Sequence, residues 1–314
     1  MQNWLRQTGA AILAFLLFIS ACFHPHITLA ESGEDGIYAE TTMIGMEGTH
    51  VESGHLQASY SWHTERLDVL KRDGETGIWG EVYLPDKDGP VPLIIFSHEF
   101  LQSHASGAEY GKYFAARGIA VYTFDFTNGA SNGRSDFTKV SGLTETEDLE
   151  DILSAARTWG FVNPDQIILM GASFGCWATA VCGIDHQDDI VGMVLLYPGL
   201  RFLTDIASFN SPEEVPEVWD FHGMQLGRNY VTDIWGYDIY AEMGKYEGSV
   251  LVLNGDNDPA ISVSFAQHVA DSFPDAAFTV IPKGRHGFTG EPLATALERI
   301  TIYLEEILTP KTDG

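Results

Sequence analysis

QIILMGASFGCWATAVCG, residues 166–183, runs from an apolar stretch through Gly171, Ala172, Ser173, Phe174 and Gly175 into a second apolar stretch rich in small residues. The pattern predicts a strand, a tight turn and a helix, with Ser173 at the apex of the turn. A side chain lifted out of a strained turn needs small flanking residues, and glycines two positions to either side let the strand and helix backbones pass closely. Two glycines around a serine also recur by chance, so an ordinary strand-to-helix turn is the competing reading of these five residues.

A nucleophilic serine in this context requires an acid and then a histidine later in the chain, each at the end of a strand. SVLVLNG (249–255) runs into Asp256, Asn257, Asp258 and Pro259, and AFTVIP (277–282) runs into Lys283, Gly284, Arg285, His286 and Gly287. The order Ser, Asp, His differs from that of chymotrypsin-like and subtilisin-like proteases and selects the α/β-hydrolase plan. Ser173, Asp258 and His286 are therefore the candidate nucleophile, orienting acid and general base. Asp258 ranks above Asp256 because it stands three residues after the strand-ending Gly255 and three before the apolar Ile261; Asp256 then serves the turn. His98, His104 and His268 are rival bases in principle, read as structural or solvated side chains.

The remaining apolar runs alternate with longer amphipathic segments, which implies an α/β fold with a mostly parallel central sheet, helices on both faces and an inserted cap. GIWGEVYLP (77–85) reads as a strand of an antiparallel edge. PLIIFS (92–97), IAVYTFDF (119–126) and IVGMVLLYP (190–198) supply further strands. Thr144 with Glu147 reads as a capping box opening a helix toward Trp159, and the acidic run 145–151 reads as the solvated start of that helix rather than a metal site. Residues 199–244 interrupt the alternation with prolines and aromatics and read as the cap. Phe202, Phe209, Trp219, Phe221, Tyr230, Trp235, Tyr237 and Tyr240 supply ring area for an aromatic acyl pocket, with Trp219, Tyr230 and Trp235 as substrate-binding candidates.

In this plan two backbone N–H groups stabilise the oxyanion, one after the nucleophile and one after an early strand. Those candidates are Phe174 and Phe100. No metal-ligand spacing of Cys, His and carboxylates stands out, and the acyl-transfer chemistry needs neither metal nor cofactor.

The chain has 314 residues and a formal net charge of −27. Such a field repels polyanions and argues against nucleic acid and anionic membrane surfaces as partners. Residues 10–21 form an apolar run behind Arg6, about the length of a signal h-region and short for a membrane span. Residues 1–30 are expected to be a signal peptide, with 31–76 an N-terminal extension with edge strands and 77–314 the hydrolase domain. Cleavage after Ala30 is weighed against a lipobox ending at Cys22, which would attach the protein to the bacterial surface by a lipid, and against a retained anchor helix. Secretion or lipid anchoring is the expectation. Cys176 and Cys182 lie six residues apart in the expected helix, point to different faces and read as buried free thiols.

With these residues in place, the chain resembles an α/β-hydrolase of the bacterial cinnamoyl (feruloyl) esterase group. The resemblance covers residue 77 to the C-terminal helix and rests on SHEF (97–100), FDF (124–126) followed by NGRSD (132–136), LTETEDLEDIL (143–153), DQIILMGASFG (165–175), LLYPG (195–199), FHGMQLGRNYVTDIWGYDIY (221–240), LNGDNDPAIS (253–262) and IPKGRHGF (281–288). It implies the same assignments for Ser173, Asp258, His286, Phe100 and Phe174, and an ester substrate, small or linked to carbohydrate. Three residues depart from the group: Glu99 stands where it has glycine, Phe174 where it has glutamine and Cys176 where it has glycine. Glu99 would crowd or charge the mouth of the site, or turn to solvent. A serine peptidase, a general acylglycerol or acetyl esterase, and a catalytically silent hydrolase-like binding protein are the alternatives.

Overall fold

Runs of β-branched and aromatic residues become strands, and the amphipathic stretches between them become helices that cover the resulting sheet. The computed structural model describes residues 56–309 apart from Arg134, Arg201, Phe202, Thr204, Asp205, His222 and Gly223. The expected signal peptide, Cys22, residues 31–55 of the expected extension, Arg134 and Phe202 lie outside the described residues.

In chain order the first elements are β1 (Trp62–Arg66), β2 (Val69–Leu70), β3 (Gly77–Ile78), β4 (Gly80–Pro85), β5 (Val91–Ser97), α1 (Ala108–Ala115), β6 (Ala120–Phe124) and α2 (Gly142–Ala156). Then come β7 (Val162–Ala172), α3 (Gly175–Asp185), β8 (Gly192–Leu196), β9 (Val218–Phe221), β10 (Met224–Gly227), α4 (Asn229–Thr232) and α5 (Ile239–Met243). The chain closes with β11 (Ser249–Gly255), α6 (Val263–Asp271), β12 (Ala276–Ile281) and α7 (Gly290–Leu308).

An eight-stranded sheet runs in the order β1-β4-β6-β5-β7-β8-β11-β12. The β1–β4 and β4–β6 pairs are antiparallel, and every pair from β6 to β12 is parallel. This is the α/β-hydrolase fold. GIWGEVYLP divides at Trp79 into β3 and β4, and β1 rather than β4 forms the outer edge.

Side chains alternate between two buried layers, as the period-two geometry of a strand demands. Leu93 and Ile95 join the layer under α2, α3 and the cap, whereas Ile94 and Phe96 join the layer under α1 and α7. Each such side chain removed from water contributes roughly 1.5–3 kcal/mol. Parallel strands buried on both faces must be apolar at every position, which is why QIILM and SVLVL carry no alternation.

The start of α2 corrects two expectations. Ser141 caps the helix by accepting from the Thr144 N–H, while the Thr144 hydroxyl accepts from the Ser141 N–H, so Thr144 is the third helical residue and not the cap. The acidic run is not simply solvated: Glu145 is 2% exposed and Asp148 is 1% exposed. Asp148 pairs with Lys71 and accepts from the Thr127 N–H, contacts made by chain segments far from it in sequence. Burial pushes the Glu145 carboxyl well above the usual carboxylate range, and neighbouring Asp148 adds to the shift.

Candidate active site

Ser173 sits between β7 and α3 with φ +51°, a left-handed conformation that costs a non-glycine residue of order 1–3 kcal/mol. The turn is held on several sides. The Ser173 N–H donates to the Leu196 carbonyl at 2.9 Å, and its own carbonyl accepts from the N–H groups of Cys176 and Gly199. The flanking glycines have the packing role expected of them: a Cβ on Gly171 would lie 2.4 Å from Thr179 Oγ1, and one on Gly175 would lie 2.4 Å from the Ser97 carbonyl oxygen.

Three residues far apart in sequence meet at the ends of β7, β11 and β12. His286 Nε2 lies 2.9 Å from Ser173 Oγ, and His286 Nδ1 lies 2.9 Å from Asp258 Oδ2. The Asp258 side chain is fully buried, and its Oδ1 accepts from the N–H groups of Ala260 and Ile261. Those two donors hold the carboxylate still while its other oxygen faces the imidazole. Asp256 is exposed and uses its backbone to close the turn against the Ile281 carbonyl. The structure thus brings Asp258, and not Asp256, to His286.

The rival histidines lie elsewhere. His98 is buried and bridges two backbone groups: its Nδ1 faces the Glu99 carbonyl at 2.7 Å and its Nε2 accepts from the Phe126 N–H at 3.2 Å. That pairing fixes a neutral imidazole carrying its proton on Nδ1, in keeping with a pKa lowered by burial. His104 packs on Trp79 and is held by Asp125, and His268 packs on Tyr240.

Phe100 and Phe174 stand together beside Ser173, their ring centroids 5.3 Å apart. The approach of Gly175 to the Ser97 and His98 carbonyls brings the end of β5 against the Ser173 turn, so the chain segment carrying the Phe100 N–H adjoins the one carrying the Phe174 N–H. Glu99 does not turn to solvent: it is 5% exposed, and Oε1 accepts from the Tyr197 hydroxyl at 2.9 Å. Tyr197 has φ +39° and packs its ring edge-on with His286 at 4.9 Å. Burial, with Glu99 second, pushes the Tyr197 phenol well up. Nothing in the pattern HEF singles out Glu99 as a buried side chain.

Cys176 and Cys182 are buried free thiols. Cys176 Sγ reaches the Gly171 and Leu196 carbonyls below the turn, so its departure from glycine fills space under the strand ends. Among the described residues no group of three His, Cys, Asp or Glu side chains gathers in a form suited to a metal ion.

Over the site, β9 and β10 form a two-stranded hairpin that is followed by α4. Tyr230 stacks on Phe174 at 5.9 Å, with Trp219 and Phe221 packed against Tyr230 in turn. Ser141 Oγ donates to Asp233 at 2.7 Å, and Asn229 donates to the Val140 carbonyl, fastening this segment to the start of α2. Trp219 and Tyr230 therefore stand in the ring cluster beside the Ser173 turn. Trp235 does not: it lines a separate groove of about 460 Å3 with Leu203, Ile206, Phe209, Tyr237 and Tyr240. Phe209 borders both, since its ring meets Trp219 at 5.4 Å.

A model of the prolyl oligopeptidase family matches residues 108–310. Dipeptidyl aminopeptidase BIII of Pseudoxanthomonas mexicana is 23% identical over 236 residues, covering 68% of this chain and 33% of that protein. Esterase FrsA of Shigella sonnei is 23% identical over 279 residues, covering 83% of this chain and 64% of that protein. The chain thus spans a third to two thirds of these relatives. Among solved structures, Est1E of Butyrivibrio proteoclasticus with bound ferulic acid superposes with a TM-score of 0.66 at 20% identity, covering 76% of this chain and 98% of that one. A dienelactone hydrolase homologue from Klebsiella pneumoniae superposes with a TM-score of 0.57 at 16% identity, covering 78% and 98%.

Proposed function

The chain belongs to the prolyl oligopeptidase family, and from that premise we propose that it is a serine carboxylic-ester hydrolase acting through an acyl-enzyme intermediate, with cinnamoyl or feruloyl esters of plant polysaccharide as the substrate class. The observation that carries the reading is the hydrogen-bonded series Ser173 Oγ, His286, Asp258. His286 Nε2 takes the hydroxyl proton as Ser173 Oγ attacks the ester carbonyl. Asp258 keeps the other proton on Nδ1 and stabilises the imidazolium. The Phe100 and Phe174 N–H groups receive the oxyanion, each contributing a few kcal/mol in a preorganised site. The imidazolium returns its proton to the leaving alcohol, and water, activated by the same histidine, releases the acid and regenerates the serine.

The aromatic acyl preference is supported by the ring cluster of Phe100, Phe174, Trp219 and Tyr230 beside the nucleophile turn. It is also supported by the likeness in fold to Est1E, a protein whose structure holds ferulic acid. Peptide hydrolysis is a second reading, favoured by the family and by the dipeptidyl aminopeptidase relative. Turnover of methyl ferulate, 4-nitrophenyl acetate, a monoacylglycerol and dipeptide amides separates the two. The ester reading expects methyl ferulate to give the highest kcat/KM, and faster amide cleavage overturns it. Export is proposed from the leader-like residues 1–30, and mass spectrometry of the mature N-terminus distinguishes an end at Glu31 from a lipidated Cys22.

A further inference from the structure

Glu99 occupies an unusual position for a carboxylate. It is 5% exposed, stands two residues past the end of β5 and lies next to the residue whose N–H is the oxyanion donor of the reading above. Its backbone and side chain are both held, from opposite directions. The Glu99 carbonyl accepts from His98 Nδ1 and from the Gln102 N–H, and His98 is in turn engaged by the Phe126 N–H just beyond β6. The Glu99 carboxylate accepts from the hydroxyl of Tyr197, the residue that follows β8.

The strand order β6-β5-β7-β8 gives these two links their meaning. β6 lies to one side of β5, whereas β7, which ends in the Ser173 turn, lies to the other with β8 beyond it. A trans peptide is planar, and its C=O and N–H point in opposite directions. A Glu99 carbonyl drawn toward the β6 side therefore turns the Phe100 N–H toward the β7 side, where Ser173 stands. The side-chain link crosses beneath that same turn to Tyr197, whose ring backs His286.

We propose that Glu99 is a positioning residue: pinned by His98 through its carbonyl and by Tyr197 through its carboxylate, it holds the Glu99–Phe100 peptide with the Phe100 N–H aimed at the oxyanion. The same Tyr197 ring that anchors it supports the general base, so the donor peptide and the imidazole share one mount. This inference rests on Ser173 being the nucleophile and on Phe100 being an oxyanion donor.

The test uses purified full-length protein, with 4-nitrophenyl butyrate and its thionoester analogue as probes. Sulfur accepts hydrogen bonds weakly, so the ratio of the oxoester rate to the thionoester rate reports on donor alignment and not on general damage. Removing one oxyanion donor costs about 100- to 1,000-fold in kcat, so misaiming it in Glu99→Ala is expected to cost about 10- to 100-fold, with KM changed by less than about 3-fold. The oxoester-to-thionoester ratio falls with it. Tyr197→Phe, which deletes one oxygen, shows a smaller loss of the same kind, and Glu99→Gln, which keeps an acceptor for Tyr197, recovers most of the loss. Should Glu99→Ala fail to melt cooperatively, Tyr197→Phe decides alone. Parental kcat in the variants, or equal loss on both esters, overturns the proposal. Hydrolysis surviving in Ser173→Ala overturns the underlying reading instead, which keeps the two failures distinct.

Discussion

Beneath Ser173, the ends of β5, β7 and β8 set Ser97 to Glu99, the Ser173 turn and Tyr197 side by side, with Ser97, His98, Glu99 and Tyr197 each at most 5% exposed and the last three joined to one another or to the backbone by directional hydrogen bonds. Above it, residues between β8 and β11 cover the turn with rings in edge and tilted contacts, several of them half-exposed, fastened to the body at Ser141 and Val140. Hydrogen bonds fix angles and distances; ring packing fixes volume and tolerates sliding. The floor is suited to hold reacting atoms within tenths of an ångström, and the cap to accommodate a range of apolar groups. Damage to the floor should therefore appear in kcat, and damage to the cap in KM.

The largest effect expected from this contrast is at the serine: Ser173→Ala should cost roughly three to six orders of magnitude in kcat. Undiminished ester hydrolysis by that variant removes the basis of the assignment. Asp258→Asn should lower kcat by about 1,000- to 10,000-fold by disturbing the imidazole tautomer, while Asp256→Asn, on an exposed turn, leaves it within about twofold. Steady-state kinetics of the pair checks this, and the reverse ranking refutes the geometry. Gly199→Ala tests the floor without removing any functional group. Its Cβ would lie 2.7 Å from the Ser173 carbonyl carbon and 2.8 Å from Ser173 Oγ, so the turn must shift. A displacement of that size is worth up to about 100-fold in kcat, with the fold retained by thermal melting.

The cap should respond more gently. Trp219→Ala removes ring contacts worth about 0.5–1.5 kcal/mol, which corresponds to a rise of about 3- to 10-fold in KM for methyl ferulate with kcat nearly constant. A kcat loss as large as that of Gly199→Ala would erase the distinction between floor and cap.

The smallest effect lies at the seam and concerns stability. Glu145, in the first turn of α2, has its carboxyl held well above the ordinary value of 4.5. Between that ordinary value and the raised one, the folded state keeps a proton that the unfolded chain has lost. The stabilisation is full below the ordinary carboxyl pKa and drains away as pH rises through the folded one. Glu145→Gln, permanently neutral, should flatten the decline, giving a urea midpoint that rises relative to the parent at pH 8 and changes little at pH 5. An unchanged difference across that range contradicts the assignment.

Strands were legible because both faces of a parallel sheet must be apolar, and that demand is written locally in QIILM and SVLVL. The Ser173 turn was legible because a strained turn at close quarters admits few residues at positions 171 and 175. The burial of charged side chains is not written in the same local way. An acidic run at a helix start has the composition of a solvated face whether or not it is one; Asp148 is buried because Lys71 and Thr127 close over it, and Glu145 is buried against Gly129. Glu99 is kept from solvent for the same kind of reason, since its partner Tyr197 is 98 residues away. Trp235 shares its ring chemistry with Trp219, yet it lines another groove.

The sequence by itself determined the parallel strands from PLIIFS to AFTVIP, the Ser, Asp, His succession and the ranking of Asp258 over Asp256, because these follow from backbone sterics and from burial and spacing along a few consecutive residues. Only the tertiary structure decided that Glu99 is buried against Tyr197 beside the Ser173 turn and that Trp235 lines another groove. Those outcomes depend on which distant segments arrive at the same strand ends, and a side chain's partner and burial are properties of that meeting rather than of its neighbours in the chain.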